Sequence, residues 1–281
     1  MIGQVAVLEQ VKKQLNNFPG FLIFCAPDGY GKKTLCREIA EQLKCDVMFY
    51  DNKIESVREC IDTAMTQVKE IIYVLQDADS MSVSAKNSML KLVEEPPRSA
   101  HIILLCADEQ NLLPTIVSRG VILKFNEYTK DELREFYKMS YPQSYQQNVD
   151  NSEKIINLCN CPGDIIKAQD IDINKLSTFA QKVVDNLKDA TISNALKITK
   201  QLKLSESDNG YDVGLFLNCV LDTILEEIET IITDPEEIRF LVEFSKVIVE
   251  SKAKLSNSSI NKTMLIDTML IKGWEVWNYL N

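Results

Sequence analysis

The segment FLIFC at 21–25 runs straight into APDGYGKKTLC at 26–36 and then into the amphipathic stretch LCREIAEQL. A short run that is apolar at every position suits a strand buried on both faces. The glycines behind it allow a tight turn into a helix. A strand, a glycine-containing loop and a helix in that order form the frame that cradles phosphate at a helix N-terminus. Two positions depart from the pattern G-x-x-x-x-G-K-[ST]. Ala26 stands at the first glycine and Lys33 at the hydroxyl residue, while Gly29, Gly31 and Lys32 are in place.

Further short apolar runs follow at regular intervals: DVMFY at 46–50, IIYVL at 71–75, HIILLC at 101–106 and VILKF at 121–125. Between them lie helical patterns. Residues 4–16 carry apolar residues at 5, 8, 11 and 15. A helix over 32–43 follows the loop, and another has apolar residues at 54, 57, 61, 65 and 68. A helix over 83–94 is closed by Pro96-Pro97, since proline cannot continue it. Strands alternating with helices at this spacing predict an α/β fold with a parallel sheet and helices on both faces.

Beyond about residue 126 the strand signal disappears. Short helices over 129–170 are broken near Pro142 and at CPGD (161–164), and longer amphipathic helices follow. One is expected over 212–232, one after Asp234-Pro235 and one over 261–279. Asp234 as N-cap, Pro235 at the first helical position and Glu236-Glu237 in the first turn mark a helix start. Three domains are expected: an α/β domain over 1–126, a small helical domain over 127–173 and a helical bundle over 174–281.

A chain of 281 residues with 45% hydrophobic and 26% charged residues can bury more than one core. Its formal charge of −10 excludes a surface that coats nucleic acid. Residues 1–126 hold 14 Lys+Arg against 16 Asp+Glu and the rest 17 against 25, so any DNA contact is expected to be local to the first part. The eight cysteines form no C-x-x-C pair, so a structural zinc is not expected. They read as reduced, buried small hydrophobes. With no signal-peptide pattern and no apolar run of membrane-spanning length, a cytoplasmic protein without membrane partners is expected. His101, the only histidine, precedes a strand and reads as an edge residue. Trp274 and Trp277, three residues apart, read as packing within the bundle.

The order of motifs resembles the AAA+ module of bacterial sliding-clamp loaders. IGQ at 2–4, FLIFCAPDGYGKKTLC, IIYVLQDADSMSVSAKNSMLKLVEEPP at 71–97 and LLPTIVSRG at 112–120 all match that module. The EEPP helix and the SRG segment, correctly spaced behind the loop, are specific together. KLSNSSINKTMLIDTMLI, in the last hundred residues, resembles the last helix of the collar domain. Within the family the delta-prime subunits fit best. The resemblance implies an AAA+ P-loop sheet, then a helical lid and a C-terminal collar bundle. One departure is large: many family members insert a four-cysteine zinc module here, where only about 26 residues separate Leu43 from Glu70. No zinc is expected.

ATP hydrolysis requires a Ser/Thr hydroxyl and a strand-end Asp on Mg²⁺, and a carboxylate to orient water. Lys33 cannot ligate Mg²⁺, and Thr34 lies about 100° further round the helix. By register with the family, Gln76 stands where the Mg²⁺-linked Asp belongs and Asp77 where the water-orienting Glu belongs. Cys106-Ala107 replaces a polar residue that senses the γ-phosphate. The expected site therefore has no metal, no required cofactor and no turnover. Gly29, Gly31, Lys32 and Thr34 remain as a degenerate cradle in which residual ATP, ADP or phosphate binding stays open.

Arg119, supported by Ser118, is implied by the resemblance to be an arginine finger acting in trans on a neighbouring subunit's ATP. Gly120, where the family carries cysteine, is expected to loosen that backbone. Glu94-Glu95 oppose the dipole of the helix they end, which suggests a specific partner. The implied function is a non-hydrolysing clamp-loader subunit. Its implied partners are the tau/gamma motor subunits, the delta subunit, the sliding clamp and, through the assembled complex, primer–template DNA. The alternatives are an ATP-hydrolysing motor subunit and a binding-only adaptor.

Overall fold

The computed structural model describes residues 2–188, 193, 196–197, 212–230, 234–255 and 260–280. It divides into two compact units, Met1–Phe136 with Cys161–Gly163, and Tyr137–Asn160 with Asp164–Asn281.

The first unit is built on five strands, β1 (Phe21–Cys25), β2 (Asp46–Tyr50), β3 (Ile71–Leu75), β4 (Ala100–Cys106) and β5 (Val121–Lys124). Their order is β2-β3-β4-β1-β5, and every pairing is parallel. The register places Cys25 beside Cys106, Leu75 beside Leu104 and Val121 beside Leu22. All three central strands are buried at every residue, as continuous apolar runs require when both sheet faces are covered.

Successive side chains alternate between faces. Leu22, Phe24, Ile72, Val74, Ile103 and Leu105 pack on one side, against Val7 and Val11 of α1 (Val5–Gln14) and Leu35 and Ile39 of α2 (Lys32–Leu43). Ile23, Cys25, Tyr73, Leu75, Ile102 and Leu104 face the other side. There they meet α3 (Ile54–Thr66), α4 (Val83–Ser88), α5 (Leu90–Glu94) and α6 (Pro114–Val117), through Val57, Ala85, Leu92 and Ile116. Each fully buried Leu, Ile or Phe contributes about 1.5–3 kcal/mol relative to exposure.

Three helical expectations shift. Of the stripe expected over 4–16, Val11 is buried and Leu8 and Leu15 pack against the core, while Val5 is exposed and Val7 is buried in its place. Only the first turn of the expected stripe departs from the structure. α3 stops at Thr66, and Val68 is 91% exposed. The helix expected over 83–94 is two pieces, with Ser82 capping the first by accepting from Ala85 N at 3.2 Å. His101 is not at an edge. It lies on the interior strand β4 and is buried, with Nε2 2.9 Å from Glu70 Oε1, Nδ1 3.0 Å from Pro19 O and Phe18 edge-on to its ring.

The division between the units falls within α7 (Lys130–Ser140) and within α10 (Pro162–Ala168); α8 (Pro142–Gln147) and α9 (Val149–Leu158) lie between them. The second unit continues with α11 (Ile173–Leu187), α12 (Val213–Thr230), α13 (Pro235–Lys254) and α14 (Lys262–Leu280). Asp234 Oδ1 caps α13 by accepting from Glu236 N at 3.0 Å. Gly273 lets α14 approach α13 closely, since a β-carbon there would stand 2.6 Å from Phe244 Cε2. Trp277 packs edge-on against Phe240 at 5.1 Å. The helix expected over 212–232 is described to Thr230; 231–232, and 256–259 of the collar-like stretch, lie outside the described residues.

Candidate functional site

The loop after β1 is shaped by glycine conformation and by donors to its carbonyls. Gly29 (φ +84°) and Gly31 (φ +89°) are left-handed, and Gly31 is the N-cap of α2. Both conformations are costly for side-chain-bearing residues. A β-carbon on Gly29 would also stand 2.6 Å from Cys161 Sγ and 3.1 Å from Gly163 Cα. Gly163 N donates to Gly29 O at 3.0 Å, Cys161 Sγ to Asp28 O at 3.6 Å and Tyr128 Oη to Tyr30 O at 3.1 Å. The CPG turn noted in the sequence is thus a strap across the loop.

Lys32 is buried, and its Nζ donates to Ala26 O and, at 3.1 Å, to Cys106 O, with Asp28 Oδ1 3.7 Å away. Its ammonium is satisfied by the chain's own carbonyls. The Lys33 and Thr34 side chains are exposed on the first turn of α2.

At the ends of β3 and β4 the remaining elements converge. Gln76 Nε2 donates to Tyr50 O at 3.3 Å. Asp77 is left-handed (φ 48°, ψ 45°), an uncommon conformation for a residue with a β-carbon. Partial burial pushes its carboxyl above the ordinary range. Asp28 adds in the same sense, and Lys33 and Lys32 oppose it. Two polar anchors here carry no sequence signal beyond their polarity. Asp79 Oδ2 accepts from Ala107 N at 3.0 Å. Buried Lys86 donates to Asp79 O at 2.8 Å and Asn111 O at 2.7 Å.

Among the described residues no cluster of His, Cys, Asp or Glu is placed to hold a metal ion. Gly29 and Gly31 turn the loop into the N-terminus of α2, where the Lys32 ammonium is engaged by the Ala26 and Cys106 carbonyls. Lys33 and Gln76 do not fit Mg²⁺, because an ammonium and an inward-bonded amide offer it no anionic oxygen.

Arg119 lies at the other end of the sheet. β5 runs parallel to β1 and begins with Val121 level with Leu22, so Arg119, in the turn that leads into β5, stands before the amino end of the sheet, whereas the phosphate-loop shape begins only after Cys25, at its carboxyl end. The paired span from Leu22 to Cys25 alone is about 10 Å at about 3.3 Å per residue. Gly120 permits this position: a β-carbon there would meet Ile23 Cδ1 at 2.8 Å and Phe21 Cε1 at 3.0 Å. The expected loosening is replaced by a tight approach. Arg119 Nη1 donates to Thr115 O at 2.7 Å and Nη2 lies 2.8 Å from Glu94 Oε1. Ser118 Oγ donates to Thr115 O at 3.2 Å, so its hydroxyl serves its own helix end. The structure therefore brings Gly29, Gly31, Lys32 and Thr34 together and places Ser118 and Arg119 apart from them.

The fold is of the AAA+ type, a five-stranded parallel sheet with flanking helices followed by a helical region. A DNA polymerase III gamma subunit-related protein of Thermotoga maritima superposes with TM-score 0.51 at 18% identity, over 96% of this chain and 99% of its own. A RuvB variant from Thermotoga maritima superposes with TM-score 0.52 at 18% identity over 82% and 78%. In sequence, residues 50–129 match the family described as DNA polymerase III, delta subunit. The gamma subunit of DNA polymerase III from Buchnera aphidicola (subsp. Acyrthosiphon pisum) is 26% identical over 49% of this chain and 39% of its own length. The delta-prime subunit of Bacillus subtilis is 33% identical over 26% and 22%. Tau subunits and replication factor C small subunits match as well. The chain is thus homologous to clamp-loader subunits of the gamma, tau and delta-prime kinds, and it spans about two fifths of the curated gamma subunits it matches.

Proposed function

We propose that this chain is a delta-prime-like subunit of a DNA polymerase III clamp loader that does not turn over ATP itself. In this reading it presents Arg119 to the ATP of an adjacent tau/gamma-type subunit, and the complex, with a delta subunit, places the sliding clamp on primer–template DNA. The division into an α/β domain over 1–126, a lid over 127–173 and a collar over 174–281 belongs to the same proposal.

The observation that carries the reading is the separation of the two halves of the chemistry. A phosphate-shaped loop with Lys33 and Gln76 at its metal positions stands at one end of the sheet. The exposed guanidinium of Arg119 stands at the other. Arg119 is too far from this chain's own loop to act there, and a trans role needs no metal site in the same chain.

The test is ATP turnover by the purified chain, alone and reconstituted with its tau/gamma-type subunit. The chain alone is expected to show none, and Arg119→Ala is expected to leave assembly intact while lowering turnover at the adjacent ATP site by about 1,000-fold or more, the scale of a lost arginine finger. Turnover of the complex at the wild-type rate refutes the finger role and leaves a binding-only adaptor. The homology to gamma and tau subunits favours one other reading, a motor subunit. Magnesium-dependent turnover by the isolated chain, abolished by Lys32→Ala, would establish that instead.

A further inference from the structure

Glu94 and Glu95 end α5 with two carboxylates at the negative end of the helix dipole, a placement that costs stability unless a cation answers it. The cation is Arg119. Its Nη2 lies 2.8 Å from Glu94 Oε1, while its Nη1 donates to Thr115 O at 2.7 Å. The guanidinium is therefore gripped from two elements, by the end of α5 and by α6, which ends two residues before it. Both grips are seated on the amino end of the sheet. Pro96, two residues after Glu94, closes on Gly20, where a β-carbon would stand 2.6 Å from Pro96 Cγ. Gly120, next to Arg119, closes on Ile23 and Phe21.

We propose that Glu94 is the positioning residue of Arg119, presetting the guanidinium for an acceptor on another chain; this rests on the reading of Arg119 as a trans-acting finger. Arginine has five N–H donors in a rigid fork. The hydrogen bond to Thr115 O engages one donor and Glu94 pairs with the guanidinium by charge, which leaves further N–H groups for phosphate oxygens. The side chains of Arg119 and Glu94 are 37% and 46% exposed, and an ion pair that open adds little to stability. What it supplies is orientation. A long arginine side chain otherwise surrenders rotamer freedom when it engages a phosphate, and holding it beforehand removes part of that loss. Small misplacements of a charge-stabilising group cost rate steeply.

The experiment is steady-state ATP turnover by the chain reconstituted with its tau/gamma-type ATPase subunit, with assembly checked by size exclusion. Glu94→Ala is expected to lower kcat about tenfold and leave KM for ATP unchanged, because the neighbour binds the nucleotide. Glu94→Gln keeps an oxygen acceptor in place and is expected to recover most of the rate. In the Arg119→Ala background, Glu94→Ala is expected to have no further effect, since residues acting as a unit are not additive. An Glu94→Ala rate equal to or above wild type, or a full additional loss in the Arg119→Ala background, overturns the positioning role. Wild-type turnover with Arg119→Ala overturns the finger reading itself, which separates the two failures.

Discussion

Glu109 stands between a thiol and an ammonium. Cys25 Sγ donates to its Oε2 at 2.9 Å, and Lys124 Nζ pairs with its Oε1. The Cys25 hydrogen bond first, and then Lys124, hold the Glu109 carboxyl down from 4.5 to about 2. A carboxyl lowered in the folded state adds stability that is complete above the unfolded value and is lost as pH falls through the folded one. Melting temperatures measured from pH 7 to pH 2 are expected to show an added loss between about 4.5 and about 2, and Glu109→Gln is expected to lack that increment. Identical acid profiles would show that Glu109 makes no such contribution. Cys25 itself is pulled below its ordinary value by the facing Cys106 thiol, while the hydrogen bond to Cys25 and burial push Cys106 far up. Seven of the eight cysteines are buried, so the small-hydrophobe reading describes their packing. It missed the polar engagement of Cys25, whose partner Glu109 lies 84 residues away in sequence.

At the scale of elements, the CPG turn approaches the backbone of the phosphate-like loop closely, with Gly163 N donating to Gly29 O at 3.0 Å. A β-carbon on Gly163 would stand 2.4 Å from Gly29 Cα and 3.2 Å from Gly29 O. Backbone cannot yield as a flexible side-chain end does, and overpacking of this kind costs about 1–3 kcal/mol. Gly163→Ala is therefore expected to lower the chemical-denaturation midpoint followed by far-ultraviolet circular dichroism, and an unchanged midpoint would show that the strap is not held this closely. Strand boundaries were legible to within a residue because five apolar runs of strand length are bounded by turns and polar residues. Helix faces were less so. The exchange of Val5 for Val7 in the first turn of α1, with Leu8, Val11 and Leu15 kept, and the exposure of Val68 were decided by which side chains reached the core.

At the scale of the molecule, the helical unit draws three helices together through one cation. Lys188, just past α11, pairs with Glu227 of α12 at 3.2 Å and with Glu237 of α13. Its side chain is 20% exposed and those of its partners 13% and 22%. Removing the cation from such a cluster leaves two neighbouring carboxylates partly desolvated, at a cost of about 2–3 kcal/mol, somewhat below that of a fully buried pair. Both tryptophans of the chain lie on α14, in this unit, so fluorescence follows it selectively. Lys188→Met is expected to shift the urea midpoint read by tryptophan emission to lower urea, and an unshifted midpoint would show that the cluster is not stabilising.

The amino-acid sequence by itself determined the α/β alternation, the strand–loop–helix frame, the helix start at Asp234-Pro235 and the residue types at positions 33 and 76, because each rests on local conformation or on side-chain chemistry. It also marked Glu94-Glu95 as carboxylates in need of a partner without naming one. Only the tertiary structure decided that the partner is Arg119, that Lys32 turns to the carbonyls of Ala26 and Cys106, and that Gly120 is a close-packing glycine. Above all it set Arg119 and the phosphate-like loop at opposite ends of one sheet. The reason is physical: strand order and register are made by contacts between segments far apart in the chain, and no local propensity encodes them.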